Sequence, residues 1–157
     1  ADRVRRPVRL RLLGDRRGKP WMVGIRDPRN DGQVAISVPL EDEAVSTSGD
    51  YERYFDEDGT RYHHIIKPSS GRPVEGIHSA TVIGPDAVMT DALSTSVFVM
   101  GVDDGLALIG CLPDYEAIVI DAPGEIYYST GIADPGSADG EVPSLAPLAD
   151  TCDQLQP

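Results

Sequence analysis

The chain has 157 residues, the length of one ordinary domain and enough to bury about two-thirds of its extended-chain surface without disulfide or metal staples. Its net charge of −12 is unevenly spread: residues 1–30 hold ten of the fourteen Lys and Arg, whereas residues 73–157 carry fourteen acids and no Lys or Arg. So acidic a body repels phosphate backbones, which argues against a nucleic-acid-binding core, and no apolar run approaches the roughly eighteen residues of a membrane-spanning helix.

The first thirty residues likewise contain no apolar run of signal-peptide length. Cys111 and Cys152 could form one bridge, but they show no metal spacing, and no Gly-rich phosphate loop or Ser/His/Asp order is present.

In chain order, Val8–Leu13 and Trp21–Arg26 read as two extended segments across a Gly14–Gly18 turn, and Val34–Leu40 alternates as a strand should after Asn30-Asp31-Gly32. Tyr51–Phe55 and Arg61–Ile66 are β-prone runs flanking Asp58-Gly59, a pair suited to a two-residue type I′ turn. Counting outward from that turn, paired positions sum to 117. This sets Phe55 opposite Tyr62, Arg53 opposite His64 and Tyr51 opposite Ile66, with His64 facing a cation and aromatics.

A further strand is predicted at His78–Ile83. Gly84-Pro85-Asp86 then opens a helix over Ala87–Met100, closed by Gly101, with Met89, Leu93, Val97 and Met100 as its apolar stripe. A second helix runs from Asp103 or Asp104 to about Leu112, placing Cys111 in the core. Ala117–Ile120 and Glu125–Ser129 form a final hairpin. From Gly131 the chain holds four prolines, five acids and no aromatic, the composition of an unstructured tail over 131–157. The elements add up to an α+β region over 1–130: antiparallel hairpins plus two consecutive helices.

The helix 87–100 contains one charged residue, Asp91. A helix without a charged face reads as buried nearly all round, and a buried lone carboxylate is costly unless paired, protonated or metal-bound. Thr95 stands one turn on, so a carboxylate and a hydroxyl share a face, and hard oxygen donors of this kind suit Mg²⁺. The same carboxylate could instead cap a neighbouring strand or meet Arg53 or Arg72. His64 could be catalytic or a satisfied strand histidine; His63 and His78 carry weaker cases.

Four stretches taken together resemble a known family. Thr47-Ser-Gly-Asp-Tyr-Glu-Arg-Tyr-Phe55, Tyr62-His-His-Ile-Ile-Lys-Pro-Ser-Ser-Gly-Arg-Pro73, Ser79-Ala-Thr-Val-Ile-Gly-Pro-Asp-Ala87 and Thr90-Asp-Ala-Leu-Ser-Thr-Ser-Val-Phe98 are similar, in order and spacing, to the C-terminal half of the ApbE family, the FAD:protein FMN transferases. The resemblance implies a T-fold-like half. The activity it implies is cleavage of FAD, with the FMN half joined by a phosphoester to a threonine of a target protein and AMP released, in an Mg²⁺-dependent reaction.

By resemblance, Asp91 and Thr95 match metal ligands and His64 matches the histidine at the flavin nucleotide, with His64 and Asp91 in catalytic roles. Ser48, Gly49, Tyr51 and Glu52 match the segment near the bound nucleotide. Lys67 and Ser70 stand where the family has Asp and Thr, and Arg5-Arg-Pro-Val-Arg9 where it has an N-x-G-G-D stretch. The resemblance also implies a partner set: FAD, a threonine-bearing acceptor such as a membrane redox-complex subunit, and an N-terminal half supplied separately. It points to action outside the cytoplasm or at a membrane. A non-catalytic flavin- or Mg²⁺-binding remnant that regulates a partner is the alternative.

Overall fold

The computed structural model describes residues 9–132 and 136–137. Three short stretches open the chain: β1 (Arg9–Arg11), β2 (Trp21–Arg26) and β3 (Val34–Leu40). After a turn at Glu41-Asp42-Glu43, in which Asp42 takes a φ of 55°, comes β4 (Ala44–Gly49). Two hairpins follow, β5 (Tyr54–Glu57) with β6 (Thr60–His63) and β7 (Ile66–Lys67) with β8 (Arg72–Pro73). The rest is β9 (Ile77–Gly84), α1 (Ala87–Met100), α2 (Val102–Gly110), β10 (Glu116–Asp121), β11 (Ile126–Tyr128) and β12 (Gly136–Ser137).

One five-stranded sheet, ordered β1-β4-β9-β10-β11 and antiparallel throughout, is the centre of the fold. Because side chains alternate across a strand, β9 and β10 each supply two faces. Ala80, Val82, Ala117 and Val119 pack against Leu93, Val97 and Phe98 of α1 and Leu106 and Ile109 of α2. On the reverse face, Val45, Ile83 and Ile118 pack against Ile25, Ile36, Val38 and Leu40 of the three-stranded sheet β12-β3-β2. The α+β class is as predicted, with the helices on one side of the sheet.

The strands Trp21–Arg26 and Val34–Leu40 and the helix Ala87–Met100 fall where the pattern put them. Asp86 starts α1 by accepting from the Val88 and Met89 amides at 2.8 and 2.9 Å. The hairpin register also holds, with Tyr54 opposite His63, Phe55 opposite Tyr62 and Asp56 opposite Arg61. Asp58 and Gly59 take φ of 49° and 77°, as a type I′ turn requires.

Several expectations change. The ladder stops at Tyr54 and His63. His64 adds one backbone bond to the Arg53 carbonyl at 3.2 Å, but Tyr51 lies in a turn and Ile66 pairs with Pro73. The cause is burial: His63, Ile65 and Val74 are 6–7% exposed and sink toward α1, drawing the strand off its extrapolated course. The strand β4 has no counterpart among the predicted elements. The α1 stripe is shifted as well: Leu93 and Val97 are buried with Thr90, Ser94 and Phe98, whereas Met89 and Met100 are exposed. The helix is therefore buried on one face, not all round. Cys111 is half-buried at the C-terminal cap of α2; the bridge considered for it involves Cys152, which lies outside the described residues. Of the predicted tail, residues 131–132 and β12 are described, with β12 pairing to Ser37 and Ile36; the remainder lies outside the described residues. Among the described residues no helix is long and apolar enough to cross a membrane.

Candidate functional site

The strand β4 and helix α1 face each other through hydroxyls. Ser46 Oγ lies 3.0 Å from Thr90 Oγ1, and Ser48 Oγ lies 3.0 Å from both Ser94 Oγ and Thr95 Oγ1. Small polar residues at alternate positions of β4 thus meet one face of α1, where larger side chains would hold helix and sheet apart. Thr95 also donates to the Asp91 carbonyl at 3.4 Å, and Ser94 donates to the same carbonyl at 2.9 Å. Two segments far apart in sequence, 47–52 and 90–95, therefore meet at Ser48 and Thr95.

Asp91 is not the buried lone carboxylate of the sequence reading. Its side chain is 35% exposed, and Oδ1 takes a 2.8 Å bond from Arg9 Nε on β1. The partner is neither Arg53 nor Arg72. Arg11 of the same strand donates to the Pro85 carbonyl, so two of the N-terminal arginines rest on the start of α1. The uncharged side of the helix, with Val88, Met89, Ala92, Thr95, Ser96 and Met100, is exposed.

As a cation site, Asp91 and Thr95 offer a carboxylate and a hydroxyl one helical turn apart, with the Ser48 hydroxyl beside Thr95. These donors fit Mg²⁺ in kind and number, since Mg²⁺ commonly uses one or two protein oxygens and keeps several waters. No group of three or more His, Cys, Asp or Glu able to hold a metal occurs among the described residues.

Beyond Ser48 the chain turns through Gly49, Asp50, Tyr51 and Glu52. A Cβ at Gly49 would come within 2.7 Å of the Tyr51 ring, so only glycine lets that ring lie across the strand end. Arg26 stands over the ring, 5.3 Å from its centroid. Burial pushes the Tyr51 phenol up to about 12, with the Glu52 charge raising it further and Arg26 opposing.

His64 is exposed. Its Nδ1 reaches the Arg53 carbonyl at 3.4 Å, which leaves Nε2 as the ring's open acceptor. No bond joins it to Asp91 or Thr95. The expected aromatic surroundings lie on the neighbouring residues instead: Phe55 and Tyr62 stack at 5.1 Å, and Arg61 covers Tyr54 at 4.0 Å. His63 is the satisfied core histidine, its Nε2 on the Val74 carbonyl at 2.8 Å and its ring edge-on to Phe98. Lys67 is exposed on β7 in a turn closed by Ser70 and Gly71 amides bonding to its carbonyl.

Asp50 and His78 complete the cluster, and Asp50 is absent from the sequence-derived candidates. His78 Nδ1 donates to Asp50 Oδ2 at 2.7 Å, and the Asp50 amide donates to the His78 carbonyl at 3.1 Å. That pairing sits just past the end of β4, so it is legible only once residues 44–49 are known to be a strand beside β9.

The ApbE family model matches residues 9–119, well over half of the chain. The chain is 42% identical over 116 residues to the FAD:protein FMN transferase of Treponema pallidum, a match covering 73% of this chain and 32% of that protein. To the Klebsiella pneumoniae protein of the same name it is 38% identical over 112 residues, covering 70% and 35%. Among solved structures, the ApbE protein of Thermotoga maritima superposes with a TM-score of 0.70 at 42% identity, covering 78% of this chain and 40% of that one. The flavin transferase ApbE of Vibrio cholerae gives 0.57 at 33% identity, with the same coverage. This chain belongs to the ApbE family. It spans about a third of the length of these curated relatives.

Proposed function

We propose that this chain forms part of a flavin transferase that cleaves FAD and joins FMN through a phosphoester to a threonine of a target protein, releasing AMP. The observation that carries the reading is the Ser48–Thr95 bond at 3.0 Å, which joins the S-G-D-Y-E and D-A-L-S-T segments of a chain belonging to this family. In this reading Asp91 and Thr95 hold Mg²⁺, and the bound ion would neutralise pyrophosphate charge as AMP leaves. Ser48, Gly49, Tyr51 and Glu52 border the nucleotide: Gly49 admits the Tyr51 ring, and Tyr51 stays a neutral phenol at all ordinary pH. His64, with Nδ1 tied to the Arg53 carbonyl, offers Nε2 to position the nucleotide or to take the acceptor hydroxyl's proton. The rest of the flavin pocket comes from an N-terminal half.

The test is incubation of the protein with FAD, Mg²⁺ and a threonine-containing acceptor peptide, read as covalent flavin fluorescence on the peptide. The expected result is transfer that Asp91→Ala abolishes. Absence of both FAD and Mg²⁺ binding, read as unchanged melting temperature at saturation, rules the reading out.

One observation favours a second reading, a non-catalytic flavin- or Mg²⁺-binding remnant that regulates a partner. Arg9, where the family carries its N-x-G-G-D stretch, is bound directly to Asp91. FAD binding without transfer, in the presence of an added N-terminal half, supports that alternative.

A further inference from the structure

Asp50 is a carboxylate with one oxygen provided for and one left over. The residue is 6% exposed. Oδ2 receives His78 Nδ1 at 2.7 Å and has Arg61 Nη1 at 4.0 Å, whereas Oδ1 is buried and bonds to none of the described residues. Buried polar atoms in folded proteins nearly always have a partner, so an orphan on a carboxylate asks for a donor from elsewhere. Its position says which donor. Asp50 directly follows the end of β4, between Gly49 and Tyr51, and lies two residues from the serine that meets Thr95.

We propose that Asp50 Oδ1 accepts a hydrogen bond from a sugar hydroxyl of the flavin nucleotide, on either the ribose or the ribityl chain, and that His78 is the positioning residue that aims the carboxylate. The proposal rests on the flavin reading above and adds to it a specific acceptor. His78 fixes Asp50 from two directions, through its ring and through its carbonyl. A carboxylate oxygen is an apt partner for a sugar hydroxyl, because it accepts and does not donate.

The test measures dissociation constants for FAD, FMN and AMP, with melting temperatures, in the full-length protein and three variants. Asp50→Asn keeps the shape; with its amide oxygen turned to His78, it presents an N–H₂ donor where Oδ1 stood. FAD binding is expected to weaken about ten- to a hundred-fold, the usual range for a hydrogen bond to a charged group. His78→Asn, whose amide can donate to Asp50 as Nδ1–H does, is expected to bind FAD close to wild type, and His78→Leu to weaken it as Asp50→Asn does. A loss shared by AMP assigns the ribose, and one shared by FMN the ribityl chain.

Unchanged FAD affinity in a folded Asp50→Asn protein overturns the proposal and leaves the flavin reading standing. If that variant does not fold, equal affinities in the two His78 variants overturn it. Wild-type protein that binds no FAD overturns both.

Discussion

Arg9 and Asp91 form an exposed pair, with side chains 59% and 35% accessible at 2.8 Å, and such pairs contribute only about 0–1 kcal/mol. Arg9→Ala is therefore expected to leave the melting temperature nearly unchanged and to tighten Mg²⁺ binding by a few-fold, because a competing cation leaves the carboxylate; isothermal titration with Mg²⁺ checks this. Tyr51 makes a pH prediction. Its folded pKa stands above the ordinary tyrosine value, so the neutral phenol is favoured in the folded state. The stability this contributes is complete below pH 10 and is lost as pH rises from there toward about 12. Tyr51→Phe, which keeps the ring, is expected to reduce the fall in melting temperature across that window. The wild-type minus variant phenolate absorbance should show one tyrosine ionising near pH 12.

At the scale of elements, Asp86 caps α1 with two amide bonds, and Asp86→Ala is expected to cost about 1 kcal/mol, seen as a melting temperature lower by a few degrees. The contact between α1 and α2 is tighter. A Cβ on Gly105 would lie 2.8 Å from Val97 Cγ1 and 3.1 and 3.2 Å from the Val97 carbonyl oxygen and Cα. Alanine gains up to about 1 kcal/mol of helix propensity over glycine, but overpacking against backbone costs about 1–3 kcal/mol. Gly105→Ala should therefore lower the melting temperature, and a rise would show that the two helices separate easily.

Legibility varied by element for physical reasons. The Asp58-Gly59 turn and the Asp86 start are written in local chemistry, so register and helix boundary followed from counting. The Ala44–Gly49 strand has only Val45 and Thr47 as β-branched residues among Ala, Ser and Gly, a weak strand signal. Its Ser46, Thr47 and Ser48 are stabilised by hydroxyl partners on α1 and β9, which only tertiary neighbours supply.

Over the whole molecule, one sheet is sandwiched between two helices and a smaller sheet, and its strands β9 and β10 serve both cores at once. Phe98, fully buried between α1 and the sheet, is where a truncation should cost most: Phe98→Ala is expected to remove about 3–5 kcal/mol, measured by chemical denaturation. The alternating and continuous apolar runs, the turn residues and the helix cap made the α+β class and most strand positions readable from the sequence alone, because these are rules of local backbone geometry. The ordered motifs made the family readable as well. The tertiary structure alone decided which side of α1 is buried, that Asp91 meets Arg9, and that Asp50 meets His78 just past the end of β4. Each of these is a meeting of residues dozens of positions apart, set by strand order and packing, to which no local pattern in the chain is sensitive.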